Sequence, residues 1–354
     1  MDIEVVRTDL ATARTVDVGS ARPGDGEAVF RVDSFALTAN NVTYGVVGDL
    51  VGYWDFFPAS EDGWGRIPVW GFAEALSSNA EGIAAGDRFF GYWPMSSHAV
   101  VRPTAVNPGG FVDGAAHRAN LPAIYNRYSR AANADAADAH AEALTSLLQP
   151  LFTTSFLIDA WLADEELFNA TEVVIASASS KTALGLAHLL TANRRATVIG
   201  LTSPGNVGFV ESTGAYDRAV PYGDLPAGLG DGEAVFADFA GKSDVVSAVH
   251  HHYGERLRRS LIIGMTHGLA DPTATLPGPA PEFFFAPDHI TRRIAQWGGQ
   301  GMAERIDAAR AGFDAAVGPT IEIVDRTGAD DITDTWIAAV DGGLDPRHGV
   351  ICRW

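Results

Sequence analysis

The sequence predicts an α/β fold centred on a doubly wound parallel sheet, and two observations carry this prediction. In Thr171–Leu201 (TEVVIASASSKTALGLAHLLTANRRATVIGL), a β-branched apolar run at Val173–Ala176 precedes a turn of small residues. Apolar residues at helical spacing follow, and Thr197–Leu201 is a second apolar run. From residue 172 to residue 290, short apolar runs continue to alternate with helical patterns. Such alternation is typical of βαβ units and a parallel sheet.

The remaining elements of this region are predicted at short intervals. In chain order they are a helix at Gly205–Thr213, strands at Arg218–Val220 and Ala234–Asp238, a helix at Ser243–Glu255, and strands at Ser260–Gly264 and Glu282–Ala286. With the first two runs they make six strands. A six-stranded parallel sheet of this kind is the Rossmann arrangement.

The segments on either side of this region have a different character. Residues 1–103 are predicted to be β-rich, with strands at Ala28–Val32, Asp87–Tyr92 and His98–Val101 among glycine and proline turns. Helices are predicted over residues 120–148, Leu151–Leu167 and residues 288–316. The tail from Thr320 to Trp354 has strand-like patterning, and we expect it to pack back on the first domain. A length of 354 residues suits about two domains.

The charge and the composition of the chain indicate which kinds of binding partner to expect. The net charge of −19 argues against nucleic acid and anionic membranes, and it favours solubility. The sequence has no apolar run of 18 residues, and its N-terminus lacks the apolar region of a signal peptide. The single cysteine, Cys352, excludes an internal disulfide. We therefore expect a cytoplasmic protein that binds a small molecule.

The order of these parts resembles the medium-chain dehydrogenase/reductase superfamily, in particular its zinc-independent, quinone-reductase-like members. The resemblance covers nearly the whole chain. The segments that carry it are Phe35–Tyr44 (FALTANNVTY), Gly86–Gly91 (GDRFFG, similar to the family's GDRV-G turn), Ser97–Pro103, Pro150–Leu162 and Gly214–Tyr222 (GAYDRAVPY, similar to G-A-x-x-V-I-x-Y).

The resemblance implies a Rossmann NADP-binding domain at residues 151–317. It also implies a β-rich, GroES-like substrate domain at residues 1–150 with 318–354, and a possible homodimer. Two departures leave the substrate open. The family's G-H-E segment is replaced by Gly71–Glu74 (GFAE), and residues 104–145 form a longer connection than usual.

The turn after the first Rossmann strand is unusual. A dinucleotide fingerprint needs G-x-G-x-x-G, whereas Ser177–Ala183 reads SASSKTA. Small residues still permit close approach, a helix N-terminus favours an anion, and Lys181 adds a cation. The predicted cofactor-binding residues here are Ser179, Ser180, Lys181 and Thr182. Two alternatives remain: a βαβ unit that binds nothing, and a Walker A loop, which the absence of its two glycines disfavours.

The residues after the second strand favour NADP over NAD. An NAD-specific domain places Asp or Glu there, but Leu201 is followed by Thr202-Ser203-Pro204-Gly205-Asn206. The hydroxyls of Thr202 and Ser203 and the side-chain amide of Asn206 can donate to a 2′-phosphate, so these three residues are predicted contacts. By resemblance, Tyr216 is expected near the adenosine phosphate. Helix capping is the alternative role for Thr202 and Ser203.

Residues after the later strands should meet the nicotinamide, because ligands bind at the carboxyl ends of parallel strands. The candidates are Gly241, Met265, Thr266 and Phe285. Each of them fits core packing or a loop equally well.

We predict no metal site. One cysteine cannot build a four-cysteine zinc lobe, and the run His250–His252 places adjacent side chains in different directions on a helix. That run is interpreted as a solvated face.

On the substrate side, Tyr44 is the predicted proton donor and Asn41 is predicted to orient it. Tyr125, Asn126 and Tyr128 are candidates to line the same cleft. The alternative is that Tyr44 is a buried tyrosine with a satisfied hydroxyl and that the surrounding aromatic residues form a core.

The leading hypothesis is a zinc-independent, NADPH-dependent reductase of activated alkenes, quinones or conjugated carbonyl compounds. A second hypothesis is a non-catalytic NADPH-binding protein of the same fold. A remote third is an NTP-binding protein that uses the SSKT sequence.

Overall fold

A computed structural model describes residues 1–264 and 276–354. The first part of the chain contains strands β1 (Asp2–Val6), β2 (Asp9–Val16), β3 (Ala28–Leu37), β4 (Trp64–Gly65), β5 (Pro68–Ser78), β6 (Arg88–Pro94), β7 (His98–Val101), β8 (Pro103–Asn107), β9 (Gly110–Asp113) and β10 (Arg127–Arg130), with helices α1 (Ala39–Val46) and α2 (Gly48–Val51) between β3 and β4.

The middle of the chain alternates helices and strands. In chain order they are α3 (Ala139–Asp164), β11 (Glu172–Ala176), α4 (Lys181–Ala192), β12 (Thr197–Thr202), α5 (Val207–Ser212), β13 (Arg218–Pro221), β14 (Ala234–Asp238), α6 (Ser243–Tyr253), β15 (Leu257–Ile262), β16 (Glu282–Phe283) and α7 (Ala286–Val317). The chain finishes with β17 (Glu322–Thr327), α8 (Ala329–Val340) and β18 (His348–Arg353). It divides into two compact units: Met1–Leu147 with Ile323–Trp354, and Leu148–Glu322.

The first unit is built on two β-sheets. A three-stranded sheet has the order β2-β1-β4, and a nine-stranded sheet has the order β17-β18-β3-β5-β6-β10-β9-β8, with β7 also paired to β3. Its core is aromatic: Phe30, Phe35, Phe89, Trp93 and Trp336 are fully buried. Each such side chain contributes about 1.5–3 kcal/mol by leaving water. Trp336 on α8 also donates its Nε1–H to the carbonyl of Leu10, at 2.7 Å.

Two buried arginines stabilise the connections of this unit. Arg88 on β6 makes a bidentate ion pair with Glu142, at 2.8 and 2.9 Å. Arg118 lies 3.1 Å from the carboxylate of Asp113, and both side chains are almost completely buried. A buried pair of this kind is strongly destabilising to break, because the remaining charge would lack a partner.

The second unit is a doubly wound Rossmann domain. Its six strands are all parallel and have the order β13-β12-β11-β14-β15-β16. In chain order this is 3-2-1-4-5-6, so the predicted fold class is confirmed. The strands β11, β12 and β14 are almost completely buried, as expected for a parallel sheet with helices on both faces. No helix in the described part of the chain is both long and apolar enough to cross a membrane.

Two element predictions are wrong. Residues 120–138 contain short 3-10 turns and β10 instead of an α-helix, because β10 pairs with both β6 and β9 and this pairing overrides local helical propensity. The tail contains α8, whose buried face includes Ile332 and Trp336, where only strand patterning was predicted.

Gly200 in the middle of β12 should be intolerant of any side chain. A Cβ at this position would lie 2.7 Å from the Tyr216 ring and 2.8 Å from the Ala178 Cβ. We expect Gly200→Ala to lower the free energy of unfolding by about 1–3 kcal/mol, the usual cost of overpacking, in urea titrations. Gly208→Ala on α5 is the control, because nothing lies within 4 Å of a Cβ there. Equal stability of the two variants would contradict this packing.

Candidate functional site

The candidate site lies at the carboxyl edge of the parallel sheet, where the strand order changes direction. Strands β11 and β14 are neighbours here, with Ala176 opposite Asp238 at their carboxyl ends. The chain leaves β11 for β12 on one side and leaves β14 for β15 on the other. Ligands of open α/β sheets bind in the crevice at such a switch point.

The turn that follows β11 has the backbone of a glycine turn without the glycine. Ser177 has a φ of 56°, in the left-handed region that glycine adopts most easily. Its N–H donates to the hydroxyl of Tyr222 at 3.1 Å, and its carbonyl accepts from the N–H of Ser180 at 2.9 Å. Side-chain and backbone hydrogen bonds therefore hold the turn in its shape.

Helix α4 starts directly after this turn. Ser180 is its N-cap residue, and the Ser180 Oγ accepts from the N–H of Ala183 at 3.4 Å. Lys181 is the first helical residue and is half-buried. Thr182 is buried, and its carbonyl accepts from the Ser155 hydroxyl at 2.7 Å. The positive end of the α4 dipole thus points to the edge at the switch point.

The structure joins two of the predicted residues from different turns. Asn206 donates its side-chain N–H to the hydroxyl of Ser179 at 3.3 Å. Thr202 ends β12 and is 1% exposed, whereas Ser203 is half-buried. Ser203 precedes a 3-10 turn but makes no side-chain cap hydrogen bond. The capping alternative is therefore not realised at Ser203.

Tyr216, which lies between α5 and β13, stabilises the turn after β11. Its hydroxyl donates to the carbonyl of Ala178 at 2.8 Å, and its ring lies against Gly200. Burial raises the pKa of Tyr216 well above its usual value, so the hydroxyl stays protonated.

Sequence reasoning missed three residues at this edge: Tyr222, Asp238 and Lys242. The Asp238 carboxylate accepts from the N–H groups of Ala240 and Gly241, at 2.9 and 3.1 Å. Burial raises the pKa of Asp238 to about 6, although these N–H groups lower it. The Lys242 Nζ lies 5.2 Å from the centre of the Tyr222 ring. Two of these residues could have been found from the sequence, because Asp238 is the last residue of a predicted strand and Tyr222 is the last residue of the Gly214–Tyr222 segment.

The remaining cofactor candidates follow the later strands. Gly241 is buried with a φ of 75°. Phe285 is half-buried just before α7, and its ring stacks on that of Phe283, with centroids 6.3 Å apart. Met265 and Thr266 lie outside the described residues.

The substrate candidates Tyr44 and Asn41 both lie on α1. The Asn41 carbonyl oxygen accepts from the N–H and hydroxyl of Thr38, and its amide donates to the carbonyl of Pro68 at 3.0 Å. Asn41 therefore caps α1 and ties it to β5. The Tyr44 hydroxyl accepts from the Trp70 Nε1–H at 3.2 Å. Burial raises the Tyr44 pKa, and hydrogen bonds from Trp70 and Asn40 lower it in part.

Tyr44 belongs to a group of aromatic side chains that we call the tyrosine cluster: Tyr44, Tyr53, Tyr92 and Tyr125. All four side chains are buried. Ring centroids are 4.7 Å apart for Tyr44 and Tyr53, and also 4.7 Å apart for Tyr92 and Tyr125. Tyr128 is buried separately, with its hydroxyl donating to the carbonyl of Tyr92 at 2.7 Å. Asn126 is also buried, and its amide donates to the carbonyl of Arg118.

Among residues 1–264 and 276–354, no three His, Cys, Asp or Glu side chains are grouped so that they could hold a metal ion. The interpretation of the histidine run as a solvated face is wrong for His250, which is fully buried. Its Nδ1–H donates to the carbonyl of Pro277 at 2.9 Å, and its Nε2 is 2.9 Å from the Ser260 hydroxyl. His251 is exposed.

Solved structures with the same architecture identify the fold. CurA in complex with NADPH from Vibrio vulnificus superposes with a TM-score of 0.60 at 12% identity, covering 97% of this chain and 94% of that chain. Escherichia coli quinone oxidoreductase complexed with NADPH gives 0.58 at 12% identity, covering 100% and 99%. YhdH of E. coli K-12 with bound NADPH gives 0.56 at 12% identity, covering 96% and 95%. None of the curated proteins matches the sequence.

The chain therefore has the fold of these solved structures, a Rossmann domain with a β-rich, GroES-like domain, which is the fold that the resemblance to the medium-chain dehydrogenase/reductase superfamily implied. Within this fold, residues 35–345 match the family described as "Protein of unknown function (DUF2855)". The match spans most of the chain, and the chain belongs to this family.

The raised pKa of Asp238 gives a pH dependence that can be measured. A carboxyl group whose pKa rises from 3.8 to about 6 on folding stabilises the native state less as the pH rises through this range. Between pH 5.5 and 7.5, the free energy of unfolding of the wild type minus that of Asp238→Asn should fall by about 1 kcal/mol. Urea titrations measure this difference, with Asp244→Asn at an exposed position as the control. Parallel pH profiles for wild type and Asp238→Asn would show that Asp238 titrates normally.

Proposed function

We propose that the protein is a zinc-independent reductase that uses NADPH to reduce an activated alkene, a quinone or another conjugated carbonyl compound. The observation that carries the proposal is the switch-point edge, which combines a small-residue turn, the N-terminus of α4 and no acidic residue after β12. Structures of the same fold that hold NADPH support it.

The residues at this edge fit a dinucleotide phosphate. The shape of the turn and the N-terminus of α4 suit a pyrophosphate, with Ser179, Ser180, Lys181 and Thr182 as its surroundings. Ser203 has a hydroxyl that is not used as a helix cap, and it stands where an NAD-specific domain has a carboxylate. We assign Thr202, Ser203, Asn206 and Tyr216 to the adenosine side. Gly241 and Phe285, with Met265 and Thr266, are proposed for the nicotinamide side.

We propose residues 1–150 with 318–354 as the substrate domain and residues 151–317 as the cofactor domain. When bound, NADPH supplies a hydride to one carbon of the substrate. The neighbouring atom then needs a proton. Tyr44 can hold that proton: its oxygen accepts from Trp70 and Asn40, so its own O–H remains to donate. Asn41 fixes the start of α1 and acts as a positioning residue.

Zinc independence rests on the composition of the chain. Its one cysteine, Cys352, is buried, and burial raises the thiol pKa to about 12. A thiol of that pKa is a poor metal ligand at neutral pH. We also propose that the protein acts in the cytoplasm and forms a homodimer.

The proposal is tested by following the absorbance of NADPH at neutral pH with a panel of quinones, enones and enals. We expect oxidation with at least one class, and Tyr44→Phe should lower kcat by about 10²-fold or more if this hydroxyl delivers the proton. Tight binding of NADPH without oxidation across the panel would favour the non-catalytic alternative. Failure to bind NADPH would overturn both.

Cofactor preference gives a second test. Ser203→Asp places a carboxylate where we expect the 2′-phosphate, and their repulsion should weaken NADPH relative to NADH by about tenfold, or 1.4 kcal/mol. Calorimetric titration with both cofactors measures the ratio. Ser212→Asp, at an exposed position on α5, is the control with the same change of charge. Equal affinity of the wild type for NADPH and NADH would contradict the predicted preference.

A further inference from the structure

Both lysines of the chain lie at the carboxyl edge of the parallel sheet. The sequence contains only two, Lys181 and Lys242, among its 25 lysine and arginine residues. Lys181 begins α4 after the turn that follows β11, and Lys242 lies in the turn between β14 and α6. Because β11 and β14 are neighbouring parallel strands, the two turns lie side by side at the switch point.

The segments that follow β12 and β13 contain no cation. Residues 203–217, between β12 and β13, and residues 222–233, between β13 and β14, include neither lysine nor arginine. Arg194 and Arg195 precede β12 and lie at its opposite end, where Arg195 pairs with Asp159 at 2.8 Å. A Rossmann domain that binds NADP commonly meets the 2′-phosphate with an arginine near the end of the second strand. The 2′-phosphate of the proposed cofactor therefore has to meet a cation from another strand.

The side chain of Lys242 extends from the end of β14 towards the ends of β12 and β13. Tyr222 follows β13, and its hydroxyl accepts from the N–H of Ser177 in the turn after β11, at 3.1 Å. Tyr222 therefore reaches past the end of β12, which lies between β13 and β11. The Lys242 Nζ lies 5.2 Å from the centre of the Tyr222 ring. This contact holds the ammonium group towards the side of the sheet on which Ser203 follows β12.

The charge of Lys242 lies near two carboxylates. The pKa of Tyr222 is raised to about 12 by burial and, to a smaller extent, by the negative charges of Asp238 and Asp244, so both carboxylates act on this side chain. They would repel a phosphate, and an ammonium group among them lowers that repulsion. Among the described residues Lys242 takes part in no ion pair. A contact with an aromatic ring orients an ammonium group without neutralising it.

We propose that Lys242 is a specificity-determining residue that selects the 2′-phosphate of NADPH, and that it supplies from the end of β14 the cation that the turn after β12 lacks. The inference rests on the cofactor proposed above, and it gives Lys242 a role separate from that of Lys181 at the pyrophosphate turn. Lysine suits this role because its point charge lies at the end of a flexible stem. Ser203 then supplies a hydrogen bond, and Lys242 supplies the charge.

Two adenine nucleotides that differ in the 2′-phosphate test this role without the nicotinamide. They are adenosine 2′,5′-bisphosphate and adenosine 5′-monophosphate, each titrated by calorimetry into the full chain. The wild type should bind the bisphosphate more tightly. Lys242→Ala should weaken the bisphosphate by about tenfold or more, as for the loss of a hydrogen bond to a charged group, and leave the monophosphate nearly unchanged. The ratio of NADPH affinity to NADH affinity should fall by the same factor.

Further variants separate this role from a structural one. Lys242→Met keeps most of the stem and removes the charge, so it should match Lys242→Ala, whereas Lys242→Arg should retain most of the affinity. High salt should reduce the difference between Lys242→Met and the wild type. Lys181→Ala should weaken both nucleotides, because both carry the 5′-phosphate. Arg218→Ala, which removes a positive charge at an exposed position at the opposite end of β13, should change neither.

The outcomes distinguish this inference from the reductase function. An unchanged bisphosphate affinity in both Lys242→Ala and Lys242→Met, or equal losses for the two nucleotides, would overturn the inference even if the protein oxidises NADPH. A loss confined to the bisphosphate would support the inference, and in a protein that reduces no substrate it would also favour the non-catalytic alternative. A wild type that binds neither the bisphosphate nor NADPH would overturn both proposals.

Discussion

The candidate site at the carboxyl edge of the parallel sheet depends on one backbone constraint, which is the left-handed conformation of Ser177. A residue with a side chain costs about 1–2 kcal/mol in this conformation, where glycine costs little. The protein offsets that cost with hydrogen bonds from a segment about 40 residues later: Tyr222 accepts from Ser177, and Tyr216 donates to Ala178. At about 1 kcal/mol each, such bonds are of the right size. The two tyrosines thus stabilise a left-handed turn that glycine, in the usual fingerprint, adopts at little cost.

The sequence could predict those parts of the fold whose structure is determined by neighbouring residues in the chain. Strand β14 was placed to the residue because its four apolar residues, Ala234–Ala237, and the Asp238 that follows them lie between turns. The order of alternating elements was enough to predict the Rossmann topology. Residues 120–138 and α8 were missed because their structure depends on partners distant in the chain, as when Trp336 bonds to Leu10. Local periodicity contains no information about such partners.

In the candidate site, too, the positions of residues along the chain were predictable, whereas the contacts between strand ends were not. The positions of Ser179, Ser180 and Lys181 at the turn after β11 were predictable, because these residues follow a recognisable strand at fixed offsets. Tyr222 and Asp238 were missed because their roles arise from side chains that reach across neighbouring strand ends. The contact between Ser179 and Asn206 was not predictable as a contact, although both residues were candidates. The sequence of one chain therefore indicates the edge of the sheet, and the contacts between neighbouring strand ends are known only from the structure.

The net charge of −19 opposes the approach of an anion, so the anionic cofactor proposed above has to be attracted by local positive groups. Arginine supplies the cations of the buried ion pairs, such as Arg88 with Glu142 and Arg118 with Asp113, where its fixed fork matches a carboxylate. The only two lysines in the sequence, Lys181 and Lys242, instead follow β11 and β14, the two strands at the switch point. A lysine is a compact point charge on a flexible stem, which suits a phosphate better than a rigid ion pair. Arginines therefore form the buried ion pairs described above, whereas both lysines lie at the edge where an anionic ligand is proposed to bind.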